Sequence, residues 1–216
     1  MYLGRIPGIG QTKDEKLAIL YAVTGRSEPS KARKATLYPT RIHIGPLDGS
    51  DRDPLRHYDA IKTLQTVIAV SNGRHTNGIA RSYLRDADFE AVENVLNRWG
   101  CEPDDPIFTP RVAAFGEYLE DWDDSSIAPE IGIAIVTRRA KAQSKKLNLV
   151  SGKITGIPTY KGAEFSNDIV NNDDFYVLDL PAEGLTAQKL ADDFFDWMDK
   201  DLVVCTAAGV YDRRSE

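Results

Sequence analysis

The sequence is poor in the residues that build metal sites and disulfide frameworks. Its two cysteines, Cys101 and Cys205, lie far apart, and its three histidines, His43, His57 and His75, share no ligand spacing. That pattern argues against a zinc site and suits free thiols in a reducing compartment. Asp-rich stretches at 48–53 and 121–124 lack the ligand spacing of a calcium loop. Long apolar runs are missing as well. None approaches membrane-spanning length, and Met1-Tyr-Leu-Gly has neither the charged nor the apolar region of a signal peptide, so the expected compartment is the cytoplasm. An excess of positive charge is also lacking: 27 Lys and Arg stand against 33 Asp and Glu, a net of −6. A broad electrostatic footprint for nucleic acid is thereby excluded, and any anionic ligand must be met by a local cluster of cations.

What remains is enough for a full core. Over 216 residues, 42% are hydrophobic and 28% charged, which fits a soluble protein folding as one domain over 1–216. Neither a repeat nor a linker divides it. The apolar patterning predicts strands over 2–6 (broken at Pro7-Gly8), 17–23, 36–44, 58–63 and 66–71. Helices follow over 76–84 and 86–99, the second with Phe89, Val92, Val95, Leu96 and Trp99 at helical spacing and Gly100 as its stop. Strands over 109–115, 131–137, 147–150 and 176–180 come next, around an acidic loop at 120–126 and a polar loop at 161–174. The chain ends with an amphipathic helix over 186–200 and a strand over 202–206. Grouped rather than alternating elements predict α+β with antiparallel sheets.

Chemistry concentrates in three places. An apolar β-branched run ends at Ser71-Asn72-Gly73, followed by Arg74-His75-Thr76. Asn72 tolerates a left-handed backbone, Gly73 allows close approach of the main chain, and His75 adds an imidazole, so this strand end can hold a polar small molecule. Arg26, Lys31, Arg33 and Lys34 crowd one Ser- and Gly-containing loop, a local concentration of cations suited to a phosphate. Arg5 and Arg111 sit in or beside apolar strands, where an unpaired charge is expensive, so each requires an anionic partner, from the protein or from a ligand.

Several of these segments resemble one family, the archaeal-type IMP cyclohydrolases. The residues that carry the resemblance are Met1-Tyr-Leu-Gly-Arg-Ile6, Gly25-Arg-Ser27, Tyr58, Val70-Ser-Asn-Gly73, His75-Thr76 and Thr109-Pro-Arg-Val-Ala-Ala114, and they cover the first 115 residues or so. The resemblance implies closure of the ring of formyl-AICAR ribotide (FAICAR) to give IMP and water, with no cofactor. It implies a four-layer αββα sandwich of antiparallel sheets like that of N-terminal-nucleophile hydrolases, and a homo-oligomer, a tetramer being the expected size. Its expected partner is a purine nucleotide, not nucleic acid or a membrane. Carried over by position, the catalytic tyrosine falls on Tyr58 and the catalytic glutamate on Glu102. The catalytic arginine falls on Arg33, with Lys31 as a rival. Asn72, His75 and Arg111 become substrate contacts, and Arg26 or Lys31 phosphate contacts. Met1 stands before the bulky Tyr2, so the amidohydrolase chemistry of N-terminal nucleophiles is not expected to come with the fold. An amide hydrolase of the same fold and a non-catalytic nucleotide-binding protein are the alternative readings.

Overall fold

The computed structural model describes residues 1–49, 53–118, 130–161 and 178–211. Two antiparallel sheets face each other. The first has the order β11-β10-β1-β2-β12 and the second β3-β4-β5-β6-β7-β8-β9. Their strands are β1 (Arg5–Gln11), β2 (Leu17–Thr24), β3 (Arg33–Tyr38), β4 (Arg41–Pro46), β5 (Tyr58–Leu64), β6 (Val67–Ser71), β7 (Arg111–Glu117), β8 (Ile131–Val136), β9 (Gln143–Leu147), β10 (Lys153–Gly156), β11 (Leu178–Pro181) and β12 (Val203–Tyr211). The helices are α1 (Glu28–Lys31), α2 (Thr76–Asp86), α3 (Phe89–Trp99) and α4 (Ala187–Trp197).

Strand β2 shows how the layers form. Every residue in it is buried, because its two faces meet different partners. Leu17, Ile19, Tyr21 and Val23 point between the sheets, against Tyr58, Ile68, Val70 and Ile133. Ala18, Leu20 and Ala22 point the other way, onto Leu190, Phe194 and Met198 at α4. The second sheet repeats the scheme: Ile131, Ile133 and Ile135 of β8 face the first sheet, while Ala134 and Val136 face Ile79 and Tyr83 of α2 and Val92 and Leu96 of α3. Alternation with a period of two, covered on both faces, gives the layers α4, sheet, sheet, α2 with α3. Each large aliphatic side chain buried this way contributes about 1.5–3 kcal/mol.

Local signals set the helix ends. Asp88 Oδ1 accepts from Glu90 N at 3.1 Å at the start of α3, Gly100 ends that helix at φ 62°, and Thr186 Oγ1 accepts from Lys189 N at the start of α4. Gly132 leaves room for Phe89, whose ring would lie 2.3 Å from a Cβ at that position. Glycine in β8 is therefore the seat of a helix side chain.

Some boundaries differ from expectation. β1 runs through Pro7-Gly8; Pro7 has no N–H, but its carbonyl accepts from Ile157 N at 3.0 Å and the strand continues. The stretch expected as one strand over 36–44 is the hairpin β3–β4, with Tyr38 opposite Arg41. The strand expected over 147–150 lies earlier, as β9, and β10 has too little alternation to announce itself. The acidic loop at 120–126, nearly all of the polar loop at 161–174, and Tyr176 lie outside the described residues. Among the described residues, no helix is long and apolar enough to cross a membrane.

Candidate active site

A cavity of about 370 Å³ opens where the ends of β1 and β2 meet α1, the start of β3 and the residues leading into β7. Arg5, Arg26, Arg33, Glu102, Thr109 and Tyr160 are among its lining residues. Arg5 lies on the inward face of β1, opposite Val23. Glu102 follows the Gly100 stop, and its backbone N–H donates to Thr109 O at 2.8 Å, which fixes it at the mouth of β7.

Glu102 is the hub. It is buried, and Arg5 Nη2 donates to its Oε2 at 2.8 Å. Asn72 Nδ2 donates to its Oε1 at 3.2 Å, and Arg111 Nη1 stands 3.9 Å from the same oxygen. Arg5 and Arg111, the two strand cations that required a partner, thus share one carboxylate. Burial pushes the Glu102 carboxyl above its ordinary value, with Arg5 and Arg111 pulling it back. Burial opposes the charge on Arg5, yet Glu102 and the surrounding phenols hold its pKa well above the usual value. A fixed guanidinium beside a carboxylate of raised pKa is suited to proton exchange with a bound ligand.

Tyr58 begins β5 on the inward face and is almost fully buried; it does not line the Glu102 cavity but borders a neighbouring cleft with Tyr38, Arg41, His43 and Arg74. Its hydroxyl shares a 2.6 Å hydrogen bond with that of Tyr21, whose ring meets it edge-on at 6.4 Å. Burial raises the Tyr58 pKa, while Arg5 and Arg33 pull it down, so the phenol is protonated at neutral pH and lies within the field of both arginines. Arg33 is buried, and its Nε donates to Ser30 O at 2.7 Å.

The remaining predicted residues separate. Arg26 lines the cavity and lies over the Tyr2 ring at 4.2 Å. Lys31, at the end of α1, is exposed and does not line it. Asn72 is used up by the protein: besides Glu102, it donates to Pro110 O at 2.9 Å and accepts from Val112 N at 2.8 Å. Neither Asn72 nor Gly73 has a positive φ, so the left-handed turn expected there does not form, and Asn72 serves through its amide. Gly73 does allow close approach, since a Cβ would stand 2.6 Å from Arg111 Nη1 and 3.0 Å from His75 Nδ1. His75 is fully buried behind Arg111, against Trp99 at 6.1 Å. Burial and the Arg111 charge push its pKa well below the ordinary value, despite an offset from the Val112 backbone. Neither of its ring nitrogens has a hydrogen-bond partner of good geometry among the described residues.

Sequence reasoning missed Tyr21, Tyr160 and Asp104. Tyr160 shares a 2.8 Å hydrogen bond with Thr109, which donates to Asp104 Oδ2 at 2.5 Å, and all three border the cavity. Tyr21 reads as core from its run of apolar neighbours, and Tyr160 follows a stretch with no periodicity, so neither carried a signal. Cys205 is a free, half-buried thiol packed against the core between the sheets, and burial pushes its pKa up to about 11.

The family model described as IMP cyclohydrolase-like protein matches residues 2–215. The chain belongs to that family. The match extends well past the first 115 residues that carried the resemblance. Among related proteins, one named IMP cyclohydrolase from Methanocaldococcus jannaschii is 28% identical over 215 residues, covering 99% of this chain and 95% of its own. A second of that name, from Methanothrix thermoacetophila, is 28% identical over 96% of this chain and 92% of its own. A third, from Methanosphaera stadtmanae, reaches 36% over 52% of this chain and 56% of its own. Several of the matching segments converge in space: Arg5 of the Met1–Ile6 segment lines the cavity with Glu102, Asn72 of Val70–Gly73 holds Glu102, and Arg111 of Thr109–Ala114 backs it.

Proposed function

We propose that this protein is an IMP cyclohydrolase, closing the purine ring of FAICAR to IMP with loss of water. The observation that carries the reading is a buried carboxylate, Glu102, held 2.8 Å from Arg5 at the wall of a cavity that Arg26 and Arg33 also line, in a chain whose relatives bear that name.

The reaction is intramolecular, so holding the formyl group over the carboxamide supplies much of the rate enhancement. The carboxamide nitrogen attacks the formyl carbon and gives one proton to the Glu102 carboxylate, while the Tyr58 hydroxyl donates its proton to the formyl oxygen. Arg5 offsets the charge that develops there. The adduct then loses water: Glu102 returns its proton to the departing hydroxyl, and the Tyr58 phenolate takes the proton of the former formamide nitrogen. Both residues end as they began, and no cofactor enters the balance. Arg33 keeps the phenol responsive and, with Arg26, borders the phosphate end. Asn72 and Arg111 act on the substrate through Glu102, and the neutral His75 seats Arg111. Lys31 has no part in this arrangement.

The same reading carries one domain of the N-terminal-nucleophile hydrolase type, working in the cytoplasm as a homo-oligomer. Its support is the antiparallel pair of sheets between helix layers and the family; sedimentation measures the oligomer. Incubating purified protein with FAICAR and following IMP absorbance tests the activity. Turnover lost in Glu102→Gln is the expected result. IMP binding without turnover would move the assignment to a non-catalytic nucleotide-binding protein.

A further inference from the structure

The connection between β4 and β5 returns to the cavity beside Arg33. Leu47 N donates to Ala32 O at 3.1 Å, Arg33 pairs with Pro46 in the β3–β4 ladder, and β5 opens with Tyr58. Within this connection Asp53 organises the approach to β5. Its carboxylate accepts from Leu55 N at 2.9 Å and from Arg56 Nε at 2.5 Å. Its carbonyl accepts from Arg56 N at 3.0 Å and His57 N at 2.7 Å, and its own N–H donates to His57 Nδ1 at 3.0 Å. Five hydrogen bonds over five residues give the segment one shape.

That shape presents Asp53, Leu55 and Arg56 to the cavity that Arg26, Ser27, Ser30 and Arg33 also line. Among the described residues, four arginines and three carboxylates border this one space: Glu102 takes Arg5, Asp104 accepts from Thr109, and Asp53 takes the Nε edge of Arg56, while Arg26, Arg33 and Arg56 stand on the side that carries Ser27 and Ser30. Arginine has four further N–H donors on its Nη atoms. A guanidinium that turns its Nη edge to a cavity can grip an anion there with paired hydrogen bonds. A phosphate monoester, with about two negative charges and three acceptor oxygens, matches three guanidiniums and two hydroxyls better than a carboxylate does. Because the segment is already ordered by Asp53, binding pays little to immobilise it.

We propose that Arg56 is a phosphate-binding residue, completing with Arg26 and Arg33 a three-arginine clamp around the phosphate of a nucleoside monophosphate. The proposal rests on the ring-closure reading only for the identity of the nucleoside. Arg56 was invisible in sequence because it stands among Asp, Pro and His in a stretch that reads as turn chemistry.

Calorimetric titration of IMP, ribose 5-phosphate and inosine into wild type, Arg56→Ala and Arg56→Lys tests it, with FAICAR kinetics alongside. Arg56→Ala is expected to weaken IMP and ribose 5-phosphate about 10- to 100-fold, the size of a lost charged hydrogen bond, and to leave inosine unchanged. Arg56→Lys keeps the charge without the planar fork and falls between. In turnover, KM rises and kcat stays within about threefold, the mark of binding lost equally from ground and transition states. Wild type that binds ribose 5-phosphate through Arg56 but never turns over FAICAR would sink the ring-closure reading and leave the clamp standing. Equal affinity of wild type and Arg56→Ala for both phosphates, at an unchanged melting temperature, overturns the clamp whatever the reaction. So does wild type that binds neither phosphate, or an equal loss for inosine, which would mark a distorted cavity.

Discussion

Arg5 Nη2 and Glu102 Oε2, 2.8 Å apart, join the first strand of one sheet to the segment that feeds β7 of the other. Their side chains are 12% and 3% exposed, so the pair works in a medium where losing one partner is costly. Arg5→Met leaves Glu102 with Arg111 as its remaining cation, and thermal unfolding should show a loss of about 3–5 kcal/mol. Arg5→Met with Glu102→Gln should recover part of that loss, because no uncompensated carboxylate remains. A double variant no more stable than Arg5→Met would remove the pair from the account.

Removing the Tyr58 hydroxyl separates catalysis from stability. Tyr58→Phe deletes one hydrogen bond with Tyr21, worth about 0.5–1.5 kcal/mol, so the melting temperature should move little. Turnover should fall about 10²–10⁴-fold, the usual contribution of a positioned proton donor. Tyr21→Phe removes the same hydrogen bond and leaves the donor, so its loss should be much smaller. Similar losses in both variants would mean that the hydrogen bond matters and the proton does not.

The pH–rate profile should report Glu102. The carboxylate must be ionised to accept a proton, and burial holds its pKa above the ordinary value. The acidic limb of kcat/KM should therefore fall at a higher pH than an exposed glutamate, near about 4.3, would give. An acidic limb at or below that ordinary value contradicts the assignment.

His75 predicts a stability slope. Its folded-state pKa lies well below the unfolded one, so the unfolded chain binds more protons as the pH falls below about 6.5. Stability present above that pH is lost as the pH drops, at up to about 1.4 kcal/mol per unit. His57, whose pKa is also lowered by burial, adds a smaller contribution of the same sign from its exposed loop. Melting curves from pH 7.5 to 5.5 should be flatter in His75→Gln than in wild type; an unchanged slope would mean that His75 is protonated in the folded protein.

Packing at one glycine gives an independent check on the fold. In Gly132→Ala the new methyl would stand 2.3 Å from the Phe89 ring, and overpacking of this kind costs about 1–3 kcal/mol. Gly132→Ala combined with Phe89→Leu should be more stable than Gly132→Ala alone, as thermal melts would show.

Much of the architecture was legible in sequence because the layers impose simple periods. The run of β2 and the helical spacing of Phe89, Val92, Val95 and Leu96 point to their elements without ambiguity. The hairpin at Pro39-Thr40 and the continuous β1 were not legible, since a proline reads as a break unless its place in the ladder is known. Arg5, Asn72 and Arg111 stood out as charges and an amide next to apolar strands, while Glu102 came only from the family resemblance. Their meeting at one carboxylate depends on the register between two sheets, and one sequence does not carry that register. Tyr21 and Arg56 stayed hidden for opposite reasons, one inside a core pattern and one inside a turn.

A crystal structure with bound IMP tests the central claim most directly. The purine should lie between Glu102 and Tyr58 with its phosphate toward Arg26, Arg33 and Arg56. IMP bound wholly in the neighbouring cleft of Tyr38, Arg41, His43 and Arg74, which Tyr58 also borders, with the Glu102 cavity vacant, would contradict it.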